Sequence, residues 1–129
     1  ICRKFKREGE EMIAKQDIEA INNLIDSTPT EYSDFVESMI VTKPEDRLME
    51  NLLGLCEEVG ELHGKVKRML RDGTFDEEAI LNESGDVLFY NIAIANYFGS
   101  DLQDLIQRNM YKLNSRAARG VIKGSGDNR

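Results

Sequence analysis

The chain has 129 residues, 40% of them hydrophobic and 32% charged, with a formal net charge of -7. That length suits one domain with a real core, and that hydrophobic content excludes a disordered chain. The acidic balance excludes a general DNA or RNA binder, whose footprint is a basic face, but leaves room for a local basic cluster holding a small phosphorylated ligand.

The sequence begins at Ile1 without Met, as a trimmed N-terminus would, and shows no signal segment. Residues 3–25 (RKFKREGEEMIAKQDIEAINNLI) read as a charged helix with a break point at Gly9. Ser27-Thr28-Pro29-Thr30 is a stop and a new start, with Thr28 or Thr30 as cap of a helix through Ile40. Thr42-Lys43-Pro44 ends that helix, and a long one follows over residues 45–70. Arg71-Asp72-Gly73-Thr74 reads as a turn. The next helix spans 76–98 and stops at Gly99. Ser100 is the expected cap of a last helix over 101–119. The remainder, GVIKGSGDNR, reads as a flexible, Gly-rich tail. Strand signals are sparse: there are two prolines and no alternating Val/Ile/Thr run. The expectation is an all-α fold, an antiparallel bundle of four to five helices joined by short turns. The longest apolar run falls short of a membrane span. Cys2 and Cys56 match no zinc spacing, so free thiols in a reducing, cytoplasmic setting are the simplest reading.

Two acidic pairs stand out, Glu58-x-x-Glu61 and Glu83-x-x-Asp86, each spaced by about one helical turn. On the 45–70 helix, Leu48, Leu52, Leu55, Val59, Leu62, Val66 and Leu70 form an apolar stripe. Glu57 and Glu61 lie opposite it with Arg68, and Glu58 sits at its edge. A solvated Glu/Lys face with a local pair such as Glu61 to Lys65 explains this helix equally well. The following helix is different. From Val87 to Phe98 (VLFYNIAIANYF) it is apolar nearly all round, as an interior helix is. Val87, Tyr90 and Ile94 fall within about 40° of Glu83 in helical projection. Glu83 and Asp86 are therefore expected to face protein, where an ionised carboxylate needs a compensating cation. The positive end of the helix dipole explains the sign of these residues but not their apolar neighbours.

Four carboxylates, Glu58, Glu61, Glu83 and Asp86, make an oxygen-rich site that suits Mg²⁺ first and Mn²⁺ second. A di-iron site of the ferritin type needs Glu-x-x-His pairs. His63, the one histidine, follows Glu61 by two positions and cannot complete that motif. Zinc lacks its His and Cys ligands. Mg²⁺ commonly shares its coordination shell with substrate phosphates. Lys112, Arg116 and Arg119, spaced i, i+4, i+7 on the last helix, are the candidate cations for outer phosphates, with Lys123 and Arg129 behind them. Favourable cations at a helix C-terminus are the competing reading. Ser84 and Cys56 show no His partner, which argues against a covalent nucleophile.

The segments LGLCEEVGELHGKVKRML (53–70) and ILNESGDVLFYNIA (80–93) resemble the MazG-like, all-α nucleoside triphosphate pyrophosphohydrolases, whose pattern is Glu-Glu-x-x-Glu, a gap, then Glu-x-x-Asp. NMYKLNSRAARGVIKGSGDNR (109–129) is similar to the closing segment of bacterial and phage members. The resemblance implies a pyrophosphohydrolase domain over 28–129, preceded by an accessory helix over 1–27. It implies hydrolysis of nucleoside triphosphates, deoxynucleotides foremost, to a monophosphate and pyrophosphate in nucleotide-pool house-cleaning. It also implies Mg²⁺ and a homodimer or homotetramer. Glu58, Glu61, Glu83 and Asp86 would then bind metal, and Glu57 with Glu58 would serve the attacking water. Tyr90 would face the substrate, and Lys112, Arg116 and Arg119 would hold phosphates. No nucleic acid or membrane partner is expected. A non-catalytic nucleotide-sensing or assembly module, docking through the basic 1–7 segment, is a second reading. Hydrolysis of phosphoribosyl-ATP is a third.

Overall fold

In the computed structural model the described residues are 29–126. They form four α-helices and no strand: α1 (Pro29–Met39), α2 (Arg47–Asp72), α3 (Glu77–Tyr97) and α4 (Leu102–Ala118). The charged helix expected over 3–25, the accessory segment 1–27, Cys2, Thr28 and Arg129 lie outside the described residues. The three later helices match their expected spans to within two residues at each end.

Each boundary has a local cause. Residues 47–72 are dominated by strong helix formers, and the helix stops at Gly73, whose φ of 68° is left-handed. Asp76 caps α3 by accepting from the Ala79 amide at 3.0 Å. Gly99, at φ 71°, ends α3 as expected. The cap of α4 is Asp101 rather than Ser100: the Asp101 carboxylate accepts from the Asp104 amide at 2.8 Å. Ser100 instead donates its hydroxyl to the Asp104 carboxylate. Thr30 lies inside α1 and is not its cap.

The short connection over 73–76 folds α2 and α3 into an antiparallel pair, which is the most extensive contact among the described residues. α1 packs on α3 and α4, and α4 touches α3 only lightly. The buried core lies at the second half of α3. Val36, Ile92 and Ala93 are fully buried there, surrounded by Tyr32, Phe35, Ile40, Phe89, Leu102 and Leu105. Ser33 ties the three helices at this end: its hydroxyl accepts from the Leu102 amide at 2.9 Å, and its carbonyl accepts from Asn96 Nδ2 at 2.8 Å. Arg47 pairs through both nitrogens of its fork with Glu37, pinning α1 to the start of α2. That hydrogen bonding holds the Glu37 carboxyl below its ordinary range.

The buried line of α2 runs to one side of the leucine stripe read from the sequence, of which Leu48, Leu55, Val59 and Leu62 are half-buried. Leu52, Val66 and Leu70 are exposed, Leu70 to 82%. Asn51 and Gly54 are buried instead, with Glu58, Lys65 and Met69 half-buried along the same side. The cause is close helix approach at Gly54. A Cβ built there would lie 2.3 Å from Cε1 of Tyr90. The tyrosine ring fills the space a side chain would occupy, so α3 seats on the small and polar line of α2. The Gly-rich tail also departs from a free coil over its described part: Val121 N–H donates to the Arg116 carbonyl at 2.9 Å, and Arg116 Nη2 donates to the Gly126 carbonyl at 3.2 Å.

Candidate metal centre

The seating of α3 on α2 brings acidic groups together from both helices. One carboxylate oxygen each of Glu58, Glu83 and Asp86 lie within 4.8 Å of one another. Glu83 is buried, Glu58 half-buried and Asp86 exposed at the rim. Asp86 thus faces water more than the apolar pattern around it suggests. α3 turns Glu83 toward α2, and Asp86, three residues on, reaches the same spot from its edge.

The group is strongly frustrated electrostatically. Burial, then the charges of Asp86, Glu61, Glu83 and Glu57, pushes the Glu58 carboxyl above its ordinary value. Every charge that pushes it upward belongs to a carboxylate. Burial and the nearby Glu58, Glu57, Glu50 and Asp86 likewise raise the Tyr90 phenol. Tyr32, from α1, is raised by burial and by Asp86. A hard divalent cation is the species this donor set fits: oxygen donors of one sign, gathered within a few ångströms and partly withdrawn from water.

The other candidates are distributed unevenly. Glu61 is exposed and influences Glu58 by its charge, but it is not drawn into the three-carboxylate group. Glu57 is exposed beside it. Tyr90 lies against Gly54 with its hydroxyl in the field of the carboxylates. Lys112 is exposed on α4 and Arg119 is exposed at its C-cap, whereas Arg116 is 5% exposed and turned toward the tail. α4 makes no close packing with α2, so these cations are carried by an element separate from the one bearing Glu58.

One residue at the centre was missed. Lys65 Nζ lies 3.2 Å from Glu83 Oε1, an ion pair across the two helices. The local spacing suggested Glu61 as the partner of Lys65. A better signal was present: Lys65 follows Glu58 by seven residues, two helical turns, and so shares its face. Asn51, seven residues before Glu58, follows the same rule. It is 2% exposed, and its Nδ2 has no hydrogen-bond partner among the described residues.

Residues 47–121, more than half of the chain, match the MazG nucleotide pyrophosphohydrolase domain. The chain belongs to the MazG family. All three clustered carboxylates, Lys65, Tyr90 and the cations of α4 fall inside that matched span, and the four helical elements agree with the all-α character expected of MazG domains. A relative is the Gene 37 protein of Mycobacterium phage L5, 46% identical over 82 residues, which covers 60% of this chain and 72% of that protein. No solved structure is significantly similar to the chain. Among the described residues no helix is long and apolar enough to cross a membrane.

Proposed function

We propose that this MazG-family chain is a Mg²⁺-dependent pyrophosphohydrolase that converts nucleoside triphosphates, deoxynucleotides foremost, to monophosphate and pyrophosphate. The observation that carries the reading is the convergence of Glu58, Glu83 and Asp86 within 4.8 Å, inside a matched MazG domain. Glu58, Glu83 and Asp86 would hold the ion, with Glu61 joining from the exposed edge of α2. Mn²⁺ is the natural substitute. A bound divalent cation would supply polarisation of the α-phosphate and neutralise its charge. The chain's own groups supply the rest. Glu57, exposed beside Glu58, orients a water toward the α-phosphorus and accepts its proton, with Glu58 as the alternative acceptor. Water oxygen bonds to phosphorus, the bond from phosphorus to the α,β-bridging oxygen breaks, and pyrophosphate departs. Tyr90 bounds the substrate on the α3 side. By family resemblance Lys112, Arg116 and Arg119 act on the phosphate chain.

The catalytic domain in this reading spans 28–129, with 1–27 as an accessory segment, in a reducing cytoplasm where the exposed Cys56 stays a thiol. The chain works as a homodimer or homotetramer, which the large apolar side chains exposed on α2 and α4 favour.

The decisive assay offers purified protein a panel of dNTPs, NTPs and phosphoribosyl-ATP with Mg²⁺. Monophosphate and pyrophosphate are the expected products. Asp86→Ala should lower kcat by about a hundredfold or more, because an ion ligand is lost, while helical content by circular dichroism is kept. Binding of nucleotide without any product, in the presence of Mg²⁺ or Mn²⁺, would favour the non-catalytic sensing module instead.

A further inference from the structure

The three-carboxylate group has a cation of its own chain beside it. Lys65 reaches across from α2 to Glu83 at 3.2 Å, and its side chain keeps 35% of its surface exposed. Lys65 and Glu83 line a polar cavity of about 250 Å³ together with Asp76, Glu78, Ala79 and Asn82. Its ammonium is thus at once a partner of a buried carboxylate and accessible to a solute entering that cavity. The expected phosphate cations stand elsewhere: Arg116 is buried and donates to the Gly126 carbonyl, and α4 packs on α1 and lightly on α3 but not on α2.

We propose that Lys65 is a phosphate-contacting residue, which neutralises Glu83 in the metal-free protein and transfers to the substrate's phosphate chain once a divalent cation engages Glu83. The proposal rests on the pyrophosphohydrolase reading and adds a residue to it. The physical argument is one of competing charges. In the metal-free protein Lys65 is the counter-ion that a buried Glu83 requires. With a divalent ion held by Glu58, Glu83 and Asp86, Glu83 would grip the ammonium less tightly, and phosphate oxygens sharing that ion would come within reach of Lys65. Lysine suits such an exchange. Its charge is compact, its three donors rotate freely, and its four-carbon stem relocates the head without moving α2. Placed on the leaving pyrophosphate, it would offset the charge that builds on the bridging oxygen as the bond to phosphorus breaks.

Lys65→Gln separates charge from positioning, because the glutamine amide can still donate to Glu83 while carrying no charge. Lys65→Arg restores the charge. Titration calorimetry on the full chain would use Mg²⁺ alone and then inorganic pyrophosphate in the presence of Mg²⁺. Lys65→Gln should bind Mg²⁺ at least as tightly as wild type, since a repelling cation is gone. Its pyrophosphate affinity should fall by about tenfold or more, the loss of one charge-assisted hydrogen bond. Lys65→Arg should recover most of that loss. Equal pyrophosphate affinity in wild type and Lys65→Gln overturns the assignment. So does loss of Mg²⁺ binding in Lys65→Gln, because Lys65 would then only hold Glu83 in place. A wild type that binds Mg²⁺ but no pyrophosphate overturns it while leaving the metal site standing. A wild type that binds neither removes the proposed function itself.

Discussion

Glu58 concentrates the electrostatic tension of the molecule. Its carboxyl is held above the ordinary value of 4.5 by burial and by Asp86, Glu61, Glu83 and Glu57. A carboxyl raised in the folded state binds its proton more tightly there than in the unfolded chain. Its contribution to stability is therefore full below the unfolded value and is lost as pH climbs through the folded one. Metal-free protein should lose part of its stability as pH rises past the ordinary carboxyl range, and Mg²⁺ should restore it by engaging the ionised form. Glu58→Gln should remove both responses and raise the melting temperature of the metal-free protein at pH 7, as scanning calorimetry with and without Mg²⁺ would register. Asn51 poses the neighbouring question. Its Nδ2 is buried without a partner among the described residues. Asn51→Leu should cost little stability or raise it, because an unmet donor leaves the interior. A loss above about 2 kcal/mol in urea titration would mean that this amide has a partner in solution.

At the scale of elements, the α2–α3 pair is set by one small residue. Gly54→Ala would drive a methyl group into the Tyr90 ring. We expect a cost of about 1–3 kcal/mol in urea unfolding, the usual penalty of overpacking, and altered Tyr90 fluorescence or ring NMR shifts. The sequence made the helices legible because Gly73 and Gly99 punctuate strong helix formers, and because turn residues separate them. The acidic pairs were legible through their turn-long spacing. The seating of α2 was not. The Leu48-to-Leu70 periodicity points to a stripe that remains partly open to solvent, while the contact with α3 is decided by a glycine and a tyrosine ring, a tertiary fit that one helix read alone does not contain. The partner of Lys65 was obscured in the same way: the i,i+4 rule favours Glu61, and packing brings up Glu83. For Arg116, helical spacing sets a cationic face, but the fold turns that side chain inward to the tail.

Over the whole molecule, the fully enclosed apolar core among the described residues is small, centred on Val36, Ile92 and Ala93. Meanwhile Met49, Leu53, Leu70, Met110 and Tyr111 lie exposed on the outer sides of α2 and α4. A chain with this distribution should gain stability by self-association. Its thermal midpoint should rise with protein concentration, and sedimentation should give a mass above that of one chain. A midpoint independent of concentration over two decades, with monomer mass, would refute the homo-oligomer. The arrangement along α3 carries its own implication. The first half of that helix offers Glu83 and Asp86, and the second half offers Ile92, Ala93 and Ala95 to the interior. The acidic cluster and the enclosed core thus occupy different halves of a single rod. Changes around Ile92 and Ala93 should act first on how long the fold lasts, and changes at Glu83 and Asp86 first on what the cluster holds.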